Sequence, residues 1–178
     1  MQCIKESGRA APMLAALAGD IEQACRGAPA DLPAAVERAL CRHAALASLV
    51  PPAQRAGNPA GYARHLLYAD PLGRFSVVAL VWLPGQRTPV HAHYTWCAYR
   101  VAEGALREDR YRWNPQRGEA ELAETVGRTA GQTGCGHAGY EQIHRLGNAG
   151  QGPALSIHVY GIDAERVATH VNRLAAAA

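Results

Sequence analysis

The sequence predicts a mostly β protein, an antiparallel barrel or sandwich with an α-helical N-terminal extension. From Phe75 onward the chain consists of short strand-like runs separated by turns, such as PGQ at 84–86 and NPQRG at 114–118. This texture is typical of antiparallel β folds. Residues 1–57 are instead rich in Ala, Leu and Glu, which favour helix. At 178 residues, the chain is long enough to bury a core without disulfides and fits one domain.

Two helices are expected in the N-terminal part. Apolar residues at helical spacing predict a helix over 11–26; they are Met13, Leu14, Leu17, Ile21 and Cys25. A second helix is expected to begin after Asp31 as N-cap, with Pro33 in its first turn. Its buried stripe consists of Val36, Leu40, Ala44 and Ala47. We therefore divide the chain into a helical extension, residues 1–57, that packs on a barrel, residues 58–178, which holds the functional site.

The strands follow in order along the second part. The run RFSVVALVWL at 74–83, which is apolar throughout from Val77 to Leu83, predicts a buried strand. Further strand-like runs occupy 89–93, 96–103, 105–113, 141–146 and 154–161. The Gly-rich stretch 126–140 is predicted to be a loop. The segment 163–174 fits a helix and a strand equally well.

Composition and charge exclude several classes of partner. The 18 basic and 15 acidic residues, with a net charge of +3, are mixed along the chain, so there is no basic stripe for nucleic acid or membrane. No apolar run approaches the ~18 residues of a membrane span. The five cysteines are scattered and odd in number, which favours a reducing, cytoplasmic location. No protein partner is indicated.

A metal-binding pattern occurs in the segment PVHAH at 89–93. In a strand, residues i and i+2 point to the same side, so His91 and His93 can converge on one metal ion. A pair of ordinary core or surface histidines is the alternative, because so short a motif also matches by accident. Imidazole ligands suit Fe, Zn, Cu or Ni, and the pattern alone does not choose among them.

The spacing around this pair resembles the first cupin motif, G-x5-HxH-x3-E-x6-G. The matching residues, with cysteine at the usual glutamate ligand, are Gly85, His91, His93, Cys97 and Gly104. His144 and Asn148 fit the H-x3-N ending of the second cupin motif. The resemblance implies a cupin double-stranded β-helix barrel with a metal held by His91, His93 and His144. Such a neutral ligand set leaves the ion its full charge and keeps positions open for other ligands.

The strand ALSIHVYG alternates between polar and apolar residues. Ser156, His158 and Tyr160 share one face, and Ile157 and Val159 share the other. The polar groups can form a hydrogen-bonded relay that directs the phenol into the barrel. From the strand alone, a polar row facing solvent with the apolar pair inward is equally compatible. A hydrolase triad is excluded, because tyrosine cannot replace the orienting carboxylate.

Together, HxH without the glutamate, IHRLGN and SIHVYG resemble the thiol dioxygenases of the cysteine dioxygenase type, over about residues 60–161. The stretch 61–93 strongly resembles their bacterial members. The resemblance implies a mononuclear non-haem Fe(II) that converts a thiol and O2 to a sulfinic acid, in sulfur amino-acid metabolism. The implied iron ligands are His91, His93 and His144. The implied outer relay, which serves catalysis, consists of Ser156, His158 and Tyr160.

The resemblance also bears on the substrate. Arg64 matches the arginine that binds the substrate carboxylate in cysteine-oxidising members, and Tyr62 matches a pocket tyrosine. A guanidinium can give a carboxylate two charge-assisted hydrogen bonds. Gly161 is instead typical of relatives that oxidise 3-mercaptopropionate, and Arg166 is a second candidate for the carboxylate. We give Arg64 more weight, because it is the expected contact with the substrate.

The sequence thus predicts a thiol dioxygenase acting on a small thiol carboxylate and O2, with L-cysteine oxidised to cysteine sulfinate. Within the same chemistry, 3-mercaptopropionate and mercaptosuccinate are alternative substrates. A non-catalytic metal-binding cupin and a zinc-dependent isomerase are the alternatives outside it.

Cysteines near the site leave two questions. Cys97 falls where animal enzymes have a cysteine cross-linked to the tyrosine that matches Tyr160, whereas bacterial relatives commonly have glycine. A thioether between Cys97 and Tyr160 is one interpretation; a free buried thiol, which acts as a small apolar side chain, is the one that we expect. Cys135 and His137 have ligand chemistry as well, but the three-histidine set is complete without them.

Overall fold

Helices come first and strands follow, as the sequence predicts. The computed structural model describes the backbone of residues 3–177 and the side chains of residues 10–177. The helices are α1 (Cys3–Ala24) and α2 (Leu32–Arg42). The strands are β1 (Ala63–Ala69), β2 (Ser76–Trp82), β3 (His91–His93), β4 (Cys97–Glu103), β5 (Ala105–Asn114), β6 (Glu119–Thr129), β7 (Thr133–Gly136), β8 (Gly139–Gly147), β9 (Ala154–Tyr160) and β10 (Asn172–Leu174). The mostly β architecture with N-terminal helices is confirmed.

The strands form two antiparallel sheets of five strands each. The first sheet has the order β1-β2-β9-β4-β7, and the second has the order β10-β3-β8-β5-β6. One apolar cluster joins inward side chains of both sheets, including Leu80 and Val101 from the first and Leu106 and Leu146 from the second. The barrel interior therefore lies between the two sheets, and each sheet contributes one wall of any site inside it.

The helices cover the outer face of the first sheet. Leu17 of α1 and Leu40 of α2 lie in one buried cluster with Val77, Ile157 and Val159. Every residue of β2 and β9 is therefore buried. This double coverage explains why β2 is apolar from Val77 to Trp82, since neither of its faces meets water.

Arg100 on β4 fixes the end of α2 to the barrel. Its guanidinium donates hydrogen bonds to the carbonyls of Leu40, Cys41 and His43, at 2.8, 3.0 and 3.1 Å. Carbonyls at a helix C-terminus have no partner within the helix, and a cation there also interacts well with the helix dipole. The division of the chain at residues 57 and 58 stays a prediction.

Three local predictions differ from the structure. The second helix ends at Arg42, where Arg100 takes its last carbonyls, and Ala47 lies in a separate 3₁₀ turn, Leu46–Leu49. The stretch predicted as a loop at 126–140 contains the end of β6, all of β7 and the start of β8. Glycine is needed there for packing: a Cβ on Gly134 would lie 2.6 Å from the Tyr99 ring. The ambiguous tail forms a short 3₁₀ turn, Ala164–Arg166, and then β10.

Neither helix in the described part of the chain has the length and apolar character that a membrane span requires.

Candidate metal centre

Three histidines from two neighbouring strands of the second sheet meet inside the barrel. His91 and His93 lie on β3, and His144 on β8 pairs directly with His91. One ligand atom from each ring lies within 4.8 Å of the others. The ring centroids are 4.7 to 5.1 Å apart. The structure therefore brings the three predicted ligands together as a candidate site for a single ion.

The chemical state of these rings also fits a metal. Burial and the neighbouring His144 lower the pKa of His91 to about 3, and burial lowers the pKa of His93 well below its usual value. Neutral imidazoles are the form that binds metal ions. Nδ1 of His91 donates to the carbonyl of Pro89, at 3.0 Å, and Nδ1 of His144 contacts Glu108 Oε1, at 3.0 Å. The Nε2 atoms of both rings therefore remain available as ligands.

Ser156, His158 and Tyr160 form a buried row on β9 in the opposite sheet. Ser156 Oγ lies 2.8 Å from His158 Nε2, and His158 Nδ1 lies 3.2 Å from the Tyr160 hydroxyl. The apolar pair of the same strand, Ile157 and Val159, packs against the helices. The alternative with the polar row in solvent is therefore wrong, because the helices bury the other face as well.

The hydrogen bond from Trp82 determines which groups of this row donate and which accept. Its indole Nε1 donates to Ser156 Oγ, at 2.9 Å, and an indole can only donate. Among the described residues, His158 Nε2 is the acceptor within hydrogen-bond distance of the Ser156 hydroxyl, so the buried hydroxyl donates its own proton to it. Burial lowers the pKa of His158 to about 3, so the ring is neutral and its single proton sits on Nδ1, which donates to the oxygen of Tyr160. The phenol proton of Tyr160 is left to point away from His158.

The Tyr160 phenol faces the same pocket as the triad. Its ring centroid lies 6.5 Å from that of His93, and burial raises the pKa of Tyr160 well above its ordinary value. The phenol therefore keeps its proton at neutral pH and can offer a hydrogen bond beside the three histidines. This combination of a fixed donor and a ligand triad is suited to stabilising charge on a molecule held at the metal.

Arg64 and Tyr62 close this pocket on the side of β1. Arg64 donates to the Tyr62 hydroxyl, at 2.8 Å, and the Tyr62 ring stacks on Trp82 with centroids 4.6 Å apart. Both residues line a small cavity of about 10 Å³ together with His93 and Tyr160. Arg64 is exposed, so its side chain is free to turn toward an incoming molecule.

A larger cavity, of about 230 Å³, lies on the other side of His93 and His144 and is lined by Tyr99, Glu108 and Arg110 among others. Arg64 and the relay do not line it. Arg64, the Tyr160 phenol and the triad meet at the smaller cavity, which we therefore take as the candidate pocket.

Cys97 lies between these features. It pairs with Tyr160 across β4 and β9, so the two side chains share the inner face of the sheet. Burial raises the pKa of the Cys97 thiol above its ordinary value, which keeps the thiol protonated and poorly nucleophilic. The position of the usual cupin carboxylate is thus filled by a neutral side chain.

Two of the weaker candidates face away from the centre. Cys135 Sγ contacts Glu37 Oε2, at 3.2 Å, and His137 Nε2 contacts the carbonyl of Ala30, at 3.0 Å. Both therefore hold the β7 region against the helical part. Arg166 lies in the short 3₁₀ turn and is not among the residues that line the pocket.

Sequence reasoning missed three residues of the centre. Trp82 lies at the end of the apolar run at 74–83, which by itself indicates only core. Glu108 lies in the charged run REDR and resembles a solvated strand, and Asn172 lies in the ambiguous tail. Asn172 lines the pocket and pairs with His93. A strand period over 105–113 would have placed Glu108 on the same face as Leu106, which is the one signal available for it.

The family comparison agrees with this geometry. A family model described as "Cysteine dioxygenase type I" matches residues 56–170. The match spans every residue named in the triad, the relay and the arginine side of the pocket.

The chain is similar to several solved structures. An uncharacterized conserved protein with a double-stranded β-helix domain from Klebsiella pneumoniae subsp. pneumoniae MGH 78578 is 18% identical, with a TM-score of 0.52 over 69% of this chain and 86% of that one. The TT1209 protein of Thermus thermophilus is 22% identical, with a TM-score of 0.49 over 62% and 91%. A cupin superfamily protein from Desulfitobacterium hafniense DCB-2 is 14% identical, with a TM-score of 0.46 over 67% and 89%. The Klebsiella match identifies the architecture as a double-stranded β-helix.

Proposed function

The chain belongs to the cysteine dioxygenase type I family, and from that premise we propose that it oxidises L-cysteine to cysteine sulfinate with O2 at an Fe(II) ion. The family implies a dioxygenase, an oxidoreductase that acts on a small molecule and O2. The observation that carries the proposal is that the His91–His93–His144 triad, the Tyr160 phenol and Arg64 all line one pocket. A thiol, its carboxylate and a reacting oxygen each have a complementary group there.

The proposed reaction balances without another reactant. One thiol and one O2 give one sulfinic acid, with both oxygen atoms on sulfur, so the four electrons lost by sulfur reduce O2. Held by His91, His93 and His144, Fe(II) would supply the Lewis acidity that ionises the thiol and the redox chemistry that O2 needs. Binding, orientation and hydrogen bonding are left to the side chains of this chain.

Arg64 is the proposed carboxylate-binding residue. Among the described residues, the hydrogen-bond partner of its guanidinium is the Tyr62 hydroxyl, and a carboxylate can replace that contact with two charge-assisted hydrogen bonds. Tyr62 in turn is stacked on Trp82. This stack sets the distance between the carboxylate-binding group and the triad, and orienting a reactant in this way removes much of the entropic part of a barrier.

Tyr160 is the proposed hydrogen-bond donor to the reacting atoms. The row from Trp82 through Ser156 to His158 uses the Tyr160 oxygen as an acceptor, which supports a phenol proton directed into the pocket. Because burial raises the pKa of Tyr160, the phenol acts as a fixed donor and does not give up its proton. This preorganisation stabilises developing charge on oxygen or sulfur.

Arg64 and Gly161 favour different substrates, L-cysteine and 3-mercaptopropionate. The choice of L-cysteine therefore needs another reason for the glycine at position 161. A Cβ at Gly161 would overlap the indole ring of Trp96, so packing by itself accounts for the glycine. This packing supports a structural role for Gly161, so we continue to give Arg64 more weight. Arg64 remains as the guide, because it is the residue that matches the cysteine-oxidising members of the family.

We propose that Cys97 is a free thiol in the resting protein. Its protonated, buried state supports this, because a thioether with Tyr160 would require the thiol to be oxidised. Intact mass and peptide mapping test it. Unmodified peptides for both residues support the free thiol, and a joined peptide lighter by two hydrogens contradicts it.

Oxygen uptake tests the proposed function. Protein loaded anaerobically with Fe(II) is mixed with L-cysteine and, in parallel, with 3-mercaptopropionate, and the sulfinates are quantified. We expect one sulfinate for each O2 consumed and a higher kcat/KM for L-cysteine. A preference for 3-mercaptopropionate would overturn the substrate, and no uptake with any small thiol carboxylate would overturn the function. His93→Ala serves as the control without a complete triad.

A further inference from the structure

Glu108 on β5 is a buried carboxylate in direct contact with one member of the triad. Its Oε1 accepts the hydrogen bond from Nδ1 of His144, at 3.0 Å. Its Oε2 accepts two from Arg128, at 2.7 and 3.0 Å, and one from Arg110, at 3.2 Å. Glu108 is only 4% exposed. The two oxygens therefore have different partners, since one contacts the histidine and the other is held by two arginines.

The three triad histidines differ in what supports them. His91 is supported by a neutral carbonyl, that of Pro89. Nδ1 of His93 is buried and has no hydrogen-bond partner among the described residues. His144 is thus the triad member held by an ionic group. The same centre has Cys97 where the cupin pattern usually has a carboxylate ligand, so Glu108 brings a negative charge to the triad through a histidine.

We propose that Glu108 is a positioning residue of the metal centre, which orients His144 and strengthens it as a ligand. A carboxylate that accepts from Nδ1 fixes the proton there, so Nε2 is always the free nitrogen, and it raises the electron density of the ring. It also compensates part of the positive charge that a divalent ion keeps in a neutral ligand set. Glu108 acts through His144 and does not itself contact the substrate pocket.

The two arginines keep this carboxylate in place. A buried carboxylate without partners is strongly unfavourable. Arg128 is mostly buried and makes a two-pronged contact, while Arg110 is shared with Glu124, at 2.9 Å. The cluster is near electrical balance, because two glutamates face two arginines. Glu108 can therefore stay ionised in the interior, ready to accept from His144.

Asp109 provides a matched control for the test. It is the next residue in β5, is 3% exposed and is also held by arginines, Arg107 and Arg145. Because side chains alternate along a strand, it lies on the opposite face of β5, away from the triad. Glu108→Gln and Asp109→Asn therefore each remove one buried, arginine-paired charge, and only the first removes it from His144.

The experiment measures metal binding and not turnover, so its result does not depend on which thiol is oxidised. Dissociation constants for Fe(II) are determined anaerobically by competition with a chelator, and the visible bands of the Co(II)-loaded protein report ligand geometry. Thermal melting of the metal-free proteins reports the structural cost of each change. We expect Glu108→Gln to weaken metal binding about 10- to 100-fold and to shift the Co(II) bands, while Asp109→Asn lowers the melting temperature alone.

Unchanged metal affinity and Co(II) bands in folded Glu108→Gln protein would overturn the proposal, as would an equal loss in Asp109→Asn. If Glu108→Gln does not fold, Arg128→Gln takes its place, since it loosens the carboxylate without removing it. Weaker metal binding in that variant supports the proposal, and wild-type binding contradicts it.

Discussion

The two halves of the centre lie on opposite sheets and are supported in different ways. The triad comes from β3 and β8, and its support includes the ionic cluster of Glu108, Arg110 and Arg128. The relay comes from β9, and its support is neutral: an indole, a hydroxyl, an imidazole and a phenol in series. Both halves are buried, yet only one of them uses charge.

Access to water accounts for this difference. The ionic cluster borders the larger cavity, and the side chain of Arg110 is 42% exposed. The relay strand has the barrel on one face and the helices on the other, and all of its residues are buried. Ions without water need complete pairing, whereas neutral groups need only their hydrogen bonds. A position covered on both faces therefore favours a neutral network.

Removing a metal ligand should have the largest effect of all, and that effect should be confined to the half of the centre that holds the triad. We expect His93→Ala to lose metal binding and all sulfinate formation, because two imidazoles remain for the ion. The relay should stay folded, so the circular dichroism spectrum should match that of the wild type. Metal analysis after desalting checks this, and full metal content would remove His93 from the ligand set.

Weakening the packing of the helices on the first sheet, which carries the relay, should lower the free energy of unfolding. Leu40→Ala removes a fully buried side chain and should lower the free energy of unfolding by about 2–5 kcal/mol. Metal affinity of the folded protein should not change. Denaturant titration measures the loss, with the 75% exposed Leu72 changed to Ala as control. Equal losses in the two variants would contradict the role of the helices as cover.

Removing the phenol hydroxyl should slow the chemistry and spare the metal. We expect Tyr160→Phe to lower kcat about 100-fold, within the range for a positioned proton or hydrogen-bond donor, with unchanged Fe(II) affinity. Steady-state oxygen uptake and chelator competition measure the two quantities. Loss of iron in this variant would mean that the two halves are not separable.

Removing the guanidinium should act on substrate binding. Arg64→Ala should raise the KM for L-cysteine roughly tenfold, the value of one hydrogen bond to a charged group, with little change in kcat. Cysteamine, a thiol without a carboxylate, is the matched substrate that should be unaffected. An unchanged KM for L-cysteine would take Arg64 out of the site.

Removing the hydrogen bond from Trp82 that supports the relay should have the smallest effect. Trp82→Phe removes the donor to Ser156 and should lower kcat about fivefold, since a single neutral hydrogen bond contributes about 1 kcal/mol. If Trp82 acts through the phenol, the change should have no further effect on kcat in the Tyr160→Phe background. Additive losses in the double variant would show that Trp82 only packs.

Much of this molecule follows from short-range patterns in the sequence. The apolar run of β2 indicated a buried strand, and the i, i+2 spacing indicated that His91 and His93 point the same way. Both depend only on the period of a strand, which the backbone fixes locally. The same holds for the alternation of Ser156, His158 and Tyr160 with an apolar pair.

The tertiary structure decided what no local pattern contains. Alternation in β9 could not say which face is interior, because the helices bury the apolar face as fully as the barrel buries the polar one. The role of Glu108 follows from the pairing of β5 with β8, which brings it to His144. The role of Trp82 follows from its hydrogen bond to Ser156. Sequence thus determined which side chains share a face, and packing between distant segments determined what each face meets, since burial and partnership are properties of contacts far apart in the chain.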